Sequence, residues 1–271
     1  MQLVAAETAD ARVGAPRAAW RLARATLHAL HGLWLVLLVF PRVSIERRQH
    51  HVQWWAAKML RMLGMRLEVA GVPRPGGGTL VTANHISWLD IMAIHAVCPQ
   101  ARFVSKADVK AWPLINKLVD SAGTLYIERE RRRDAMRLVH DVAAVLKAGD
   151  VVAVFPEGTT SDGRGLLPFH ANLLQAAIAV GVPVQPVALR YRDAVNAVSP
   201  AAMFVGETTL AQSMWMIARG RDLVVRVEWL PAQGSRHADR RALAELLRRE
   251  IGSALGVVIE PVDAASDTPS A

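Results

Sequence analysis

From Leu67 onward, short apolar runs of strand length alternate with stretches whose apolar residues return every three or four positions. That alternation admits few folds: strands joined by helical crossovers build a mostly parallel sheet with helices on its faces. Thr79–Ala83, Arg102–Ser105, Thr124–Ile127, Val151–Phe155 and Pro183–Tyr191 are predicted as strands. In a late segment Leu223, Val225, Val227 and Trp229 alternate with Arg226 and Glu228, which predicts a half-exposed strand. Ser87–Val97, Arg131–Lys147, Asn172–Val180 and Asp239–Leu255 are predicted as helices, and Pro113–Val119 as part of one. The expected fold class is α/β: a single mixed, mostly parallel sheet flanked by helices, occupying residues 68–258. Residues 1–16 lack the basic start and apolar centre of a signal peptide, and residues 259–271 are small and polar; both are expected to be disordered.

Residues 17–67 read differently. Leu33–Phe40 is an unbroken apolar run, interrupted upstream by His28 and His31 and ended by Pro41. Ala25–Phe40 amounts to about 16 residues, short of the roughly 20 that a spanning helix needs. Arg17, Arg21 and Arg24 precede it and Arg42, Arg47 and Arg48 follow, so flanking charge assigns no direction. Trp20, Trp34, Trp54 and Trp55 fall in the same region, and Lys58, Arg61 and Arg66 give Trp54–Leu67 the pattern of a basic amphipathic helix. Large aromatics often just fill a core, but these basic neighbours favour a water–lipid boundary. Residues 17–67 are therefore expected to form two helices that dock the chain on a bilayer, the first interfacial or re-entrant. A net charge of +8 calls for an acidic partner. Nucleic acid fits poorly, because no reader motif is present and the chain has only two Tyr and five Phe. An apolar content of 52% favours an anionic membrane surface.

The residues with chemical potential lie in two places. Asn84-His85-Ile86-Ser87-Trp88-Leu89-Asp90 puts a histidine and a carboxylate five positions apart, within reach of each other in one tight turn. About 65 residues later the apolar run ending at Phe155 opens into Pro156-Glu157-Gly158-Thr159, a strand delivering a glutamate into a polar turn. Taken alone, Ser87 and Asp90 also read as a helix N-cap with an acid in the first turn, leaving His85 incidental. The functional reading uses the same spacing: Asp90 orients one imidazole nitrogen and leaves the other free as a general base. Cys98 is the only cysteine and sits in an apolar stretch, as expected for a buried thiol in a reducing compartment. The chain has no G-x-S-x-G elbow, Walker A sequence or H-E-x-x-H zinc motif.

These blocks, with Gly123-Thr124-Leu125-Tyr126-Ile127-Glu128-Arg129 between them and Val182-Pro183-Val184-Gln185-Pro186-Val187 after them, resemble the glycerolipid acyltransferase family of the lysophosphatidic acid acyltransferase type. The resemblance implies transfer of a fatty acyl group from acyl-CoA or acyl-carrier protein to the free hydroxyl of a lysophospholipid. The main expectation is 1-acyl-glycerol-3-phosphate as acceptor, giving phosphatidic acid, with no metal and no cofactor. It further implies His85 as base, Asp90 as its orienter, Arg129 on the acceptor phosphate, and Glu157, Gly158 and Thr159 positioning the acceptor. The expected location is the cytoplasmic face of the inner membrane. One position departs from the pattern: many members carry Arg directly after the Thr, and this chain has Thr160. That removes one charged hydrogen bond, worth about 1.5–3 kcal/mol. Either Arg164 replaces it, or the acceptor is another lyso-lipid such as a lyso-ornithine lipid. A rival of a different class is a non-catalytic lipid-binding membrane protein, against which the intact His85–Asp90 pair argues.

Overall fold

The computed structural model describes residues 12–106, 115–121, 123–127 and 132–257. Among the described residues the strands are β1 (Met65–Ala70), β2 (Thr79–Ala83), β3 (Arg102–Lys106), β4 (Leu125–Ile127), β5 (Val151–Val154), β6 (Val184–Arg192) and β7 (Leu223–Trp229). They form one sheet in the order β1-β7-β6-β2-β5-β3-β4. From β6 to β4 all neighbours are parallel, whereas β7 runs antiparallel to β6 and carries β1 parallel to itself. The mixed, mostly parallel sheet expected from the sequence is thus observed. β2 is buried at all five positions, as expected of a central strand covered on both faces.

The helices are α1 (Ala15–Trp34), α2 (Ile45–Met62), α3 (Leu89–His95), α4 (Ile115–Ser121), α5 (Arg132–Lys147), α6 (Leu174–Val180), α7 (Leu210–Arg219) and α8 (Arg240–Leu255). Successive side chains of a strand point to opposite faces, and β2 divides accordingly. Val81 and Ala83 pack with Ala56, Met59 and Leu60 of α2 and Ala93 and Ile94 of α3. Leu80 packs with Leu138, Val142 and Leu146 of α5, Leu174 of α6, and Leu243 and Leu247 of α8.

Three expectations need correction. The helix predicted over Trp54–Leu67 begins at Ile45, where the Ser44 side chain caps it, and ends at Met62. Gly64, at φ 85°, then turns the chain into β1, so Met65–Leu67 belong to the sheet and not to the docking segment. The period-two alternation of Met65, Leu67 and Val69 is the local signal for this strand. Helix α7 was also missed, although Thr209 and Gln212 form a complete capping box at its start. Finally, α1 starts ten residues before Ala25 with Pro16 in its first turn, and continues through a π-helical segment (Leu35–Val39) and a 3-10 turn (Phe40–Arg42). The whole helical run Ala15–Arg42 has 28 residues, long and apolar enough to cross a membrane, with 22% of its most apolar window buried.

The N-terminal helices are nonetheless tied to the sheet domain. The buried guanidinium of Arg21 donates to the carbonyls of Ala218 (2.9 Å) and Gly220 (2.7 Å) at the C-terminal end of α7. Trp55 donates its indole N–H to the His28 carbonyl at 3.0 Å. Gly32 makes that approach possible, since a Cβ there would come within 2.3 Å of the indole nitrogen. Ala25, Ala56 and Leu60 accordingly share one core with the sheet.

Leu80, fully buried between two parallel neighbours, tests the sheet assignment. Leu80→Ala is expected to destabilise the fold by about 2–5 kcal/mol, seen as a clear drop in Tm in detergent. An unchanged Tm would contradict a core position for β2.

Candidate active site

The parallel strands β2, β5 and β6 end on the same edge of the sheet, where ligands bind in open α/β folds. The chain leaves β2 at Ala83, and the next side chain, Asn84, continues the ladder in place of backbone. Its Oδ1 accepts the Leu189 N–H at 2.7 Å and its Nδ2 donates to the Leu189 carbonyl at 2.9 Å. This buried amide fixes where β2 stops beside β6 and delivers His85 to the edge.

The two residues predicted to pair do so. His85 Nδ1 lies 2.7 Å from Asp90 Oδ2. The same oxygen accepts the backbone N–H groups of Ile86 (2.7 Å) and Ser87 (3.0 Å), while Oδ1 accepts the Tyr191 hydroxyl at 2.7 Å. The Asp90 side chain is wholly buried and that of His85 is 20% exposed. The His85 ring lies almost flat on Phe155, with centroids 4.0 Å apart and planes at 9°. Held on one nitrogen and one face, the imidazole has no hydrogen bond on Nε2 among the described residues. Ser87 does not cap α3 as the sequence suggested: Asp90 reaches back to the Ser87 amide, and Ser87 Oγ has no partner among the described residues.

Glu157 supports the pair from the loop that follows β5. Its Oε1 accepts the His85 N–H at 2.7 Å and its Oε2 the Leu167 N–H at 3.0 Å, with the residue 3% exposed. Each oxygen thus holds a backbone amide, and Glu157 braces the loops that leave β2 and β5. Burial pushes its carboxyl above the usual range, the charge on Asp90 adds to that, and the two amides and His85 oppose it. A carboxyl raised in this way stabilises the fold fully only below its ordinary range and loses that contribution as pH rises through the raised one. At neutral pH an ionised Glu157 is held at a cost to stability. The chain then doubles back: Ser161 donates its N–H (2.7 Å) and hydroxyl (3.2 Å) to the His85 carbonyl. The Thr160 hydroxyl is bound to the Phe204 carbonyl.

Among the predicted site residues, His85, Asp90 and Glu157 come together, and Gly158 and Thr159 follow on the same loop. Gly158 adopts φ 73°, and a Cβ there would press on the His170 ring at 3.1 Å. Thr159 is exposed. Arg129 lies outside the described residues; β4, which leads to it, ends on the same edge of the sheet. Asn84, Phe155 and Ser161 flank the site in sequence, but Tyr191 is 101 positions from Asp90 and nothing local announces it. Burial pushes the Cys98 thiol up to about 12 and His95 down to about 4.

The sequence model of the acyltransferase family matches residues 66–190, a span that holds the His85–Asp90 pair, Arg129 and Glu157. A 1-acyl-sn-glycerol-3-phosphate acyltransferase of Neisseria meningitidis serogroup B is 40% identical over 81% of this chain and 85% of its own. The chain belongs to the acyltransferase family. A lyso-ornithine lipid O-acyltransferase of Pseudomonas aeruginosa is 37% identical over 77% of this chain and 79% of its own. The crystal structure of the lysophosphatidic acid acyltransferase of Thermotoga maritima aligns with 89% of this chain and all of that one, at a TM-score of 0.62 and 19% identity. That likeness extends the family assignment to the fold.

Glu157→Gln should separate bracing from bulk packing. A carboxamide offers one acceptor oxygen where two amides need one each, so kcat is expected to fall about 10-fold or more while KM for the acceptor changes little. Wild-type kcat would show that the His85 backbone does not depend on Glu157.

Proposed function

We propose that this acyltransferase moves a fatty acyl group from acyl-CoA or acyl-carrier protein to the free hydroxyl of 1-acyl-glycerol-3-phosphate, giving phosphatidic acid. The observation that carries the reading is the 2.7 Å His85–Asp90 contact, with the second ring nitrogen open at the sheet edge, in a chain of this family. His85 Nε2 takes the hydroxyl proton as the acceptor oxygen attacks the thioester carbonyl. Collapse of the tetrahedral adduct forms the ester and expels the thiolate, which recovers the proton from the imidazolium. Asp90 stabilises the imidazolium and fixes its tautomer. The thioester supplies the activation, so the reaction needs neither metal nor cofactor. Arg129 binds the acceptor phosphate, and the loop at Gly158 and Thr159 shapes the site around it.

His85→Ala is expected to abolish transfer, a loss of about 10²–10⁴-fold, with the fold intact. Asp90→Asn should leave a small residual rate. Near wild-type turnover by His85→Ala would overturn the mechanism.

A second acceptor is favoured by one observation. The Thr160 hydroxyl is engaged by the Phe204 carbonyl, so position 160 contributes neither a cation nor a free hydroxyl to a phosphate. The similarity to a lyso-ornithine lipid O-acyltransferase points the same way. A panel of lyso-lipid acceptors assayed with one labelled acyl-CoA decides between them. With lysophosphatidate as acceptor, Arg129→Ala should lower kcat/KM by about 10- to 100-fold, as loss of a charged hydrogen bond requires. Acylation of lyso-ornithine lipid with lysophosphatidate inert would establish the second reading.

The site works at a membrane surface on this proposal, on the cytoplasmic face of the inner membrane. Trp20, Leu27, Leu30 and Trp34 are exposed on α1. At 100° per residue they share one stripe, opposite the buried Ala18, Ala25 and Gly32. Arg17 and Arg24 border the stripe and suit anionic headgroups. The double change Leu27→Glu and Trp34→Glu should release the protein from anionic vesicles at low salt without lowering its Tm. Unaltered vesicle binding would exclude this stripe as the docking face.

A further inference from the structure

We propose that Tyr191 is a positioning residue of the reaction, its hydroxyl fixing the Asp90 carboxylate and setting how tightly that carboxylate holds the protonated His85 ring. The inference rests on the proposed reading of His85 as base and Asp90 as its orienter.

The geometry is specific. Asp90 Oδ2 takes three donors from the turn it closes, namely His85 Nδ1, Ile86 N–H and Ser87 N–H. All three lie within five residues of Asp90, so they could follow the turn as a unit. Oδ1 takes its donor from elsewhere, the Tyr191 hydroxyl on β6. With both oxygens held from different elements, the carboxylate plane cannot rotate about its Cβ–Cγ bond without breaking a buried hydrogen bond. Two residues upstream on the same strand, the Leu189 backbone pairs with Asn84. The segment from Asn84 to Asp90 is thus clipped to β6 at both ends, by amide–backbone pairing at its start and by a phenol at its finish.

Tyr191 is fully buried and packs in the core beneath the site, so filling space is the bland account of it. A phenylalanine would fill that space equally well. Burial, with the negative charge of Asp90 beside it, keeps the phenol far above its ordinary range, so it remains a donor at every pH of an assay. The titratable groups facing this arrangement are His85 on Nδ1, Glu157 through the His85 amide, and Tyr191 itself. A donor on Oδ1 withdraws negative charge from the carboxylate. Removing it leaves more charge facing the imidazolium, which then releases its proton only at higher pH.

The test compares kcat/KM against pH for wild type and Tyr191→Phe, with His85→Ala measured alongside. Tyr191→Phe should move the acid limb to higher pH by about 0.5–1 unit, so that the deficit is several-fold on the acid side of the limb and nearly absent on the plateau above it. In an Asp90→Asn background the same change should move nothing further. The chain has only two tyrosines, Tyr126 and Tyr191, so 3-fluorotyrosine incorporation into a Tyr126→Phe variant labels position 191 alone. The fluorinated phenol is a stronger donor of the same shape and should move the limb to lower pH, and this arm survives if Tyr191→Phe does not fold. A deficit uniform across pH, or a limb unmoved in both variants, overturns the inference. Inactive His85→Ala together with an unmoved limb overturns it alone, whereas active His85→Ala overturns the reading of the pair as well.

Discussion

A carboxylate removed from water is tolerable only when donors fill its oxygens, and Asp90 is filled four times over. That requirement organises the site. The Ile86 and Ser87 amides must turn inward, which makes the tight turn before α3. His85 must present Nδ1 inward, which leaves Nε2 facing out. Tyr191 must sit opposite, which fixes the relation of β6 to α3. The pair is therefore less a local motif than the centre of a satisfied polar network whose members come from two distant stretches of chain.

The histidine backbone is held as firmly as its ring. Its N–H is taken by Glu157 and its carbonyl by Ser161, so the loop leaving β5 grips the loop leaving β2 on both sides. Glu157 is in turn anchored by the Leu167 amide. The buried Arg248 of α8 holds the carbonyls of Leu166 and Leu167. If His85 is the base proposed, a ring supported in this way is preorganised: little need be reorganised when charge develops on it.

The N-terminal helices serve two ends with two faces. One face packs into the sheet's core, and α2 reaches the His85–Asp90 turn through its packing on α3, where Gln53 donates to the Ala96 carbonyl at 3.3 Å. The opposite face of α1 exposes tryptophan and leucine to the surroundings. On the proposed docking of α1 at a bilayer, the site would be mounted on the same helical pair that meets the lipid.

Much of this was legible in the sequence because its causes are local. Alternating periods gave the sheet and its flanking helices, and a five-residue separation sufficed to pair His85 with Asp90. The strand leading into Glu157 was legible for the same reason. β1 and α7 also have local causes, a period-two alternation and a capping box. The rest was beyond any local reading. That Glu157 turns inward to backbone amides, that Phe155 forms a floor for the imidazole, and that Tyr191 completes Asp90 across 101 positions all follow from strand order. The order β6-β2-β5 brings three chain-distant strand ends to one edge. Sequence spacing specifies which neighbours a turn can join, but side chains from separate strands meet only once the sheet has set its order and register.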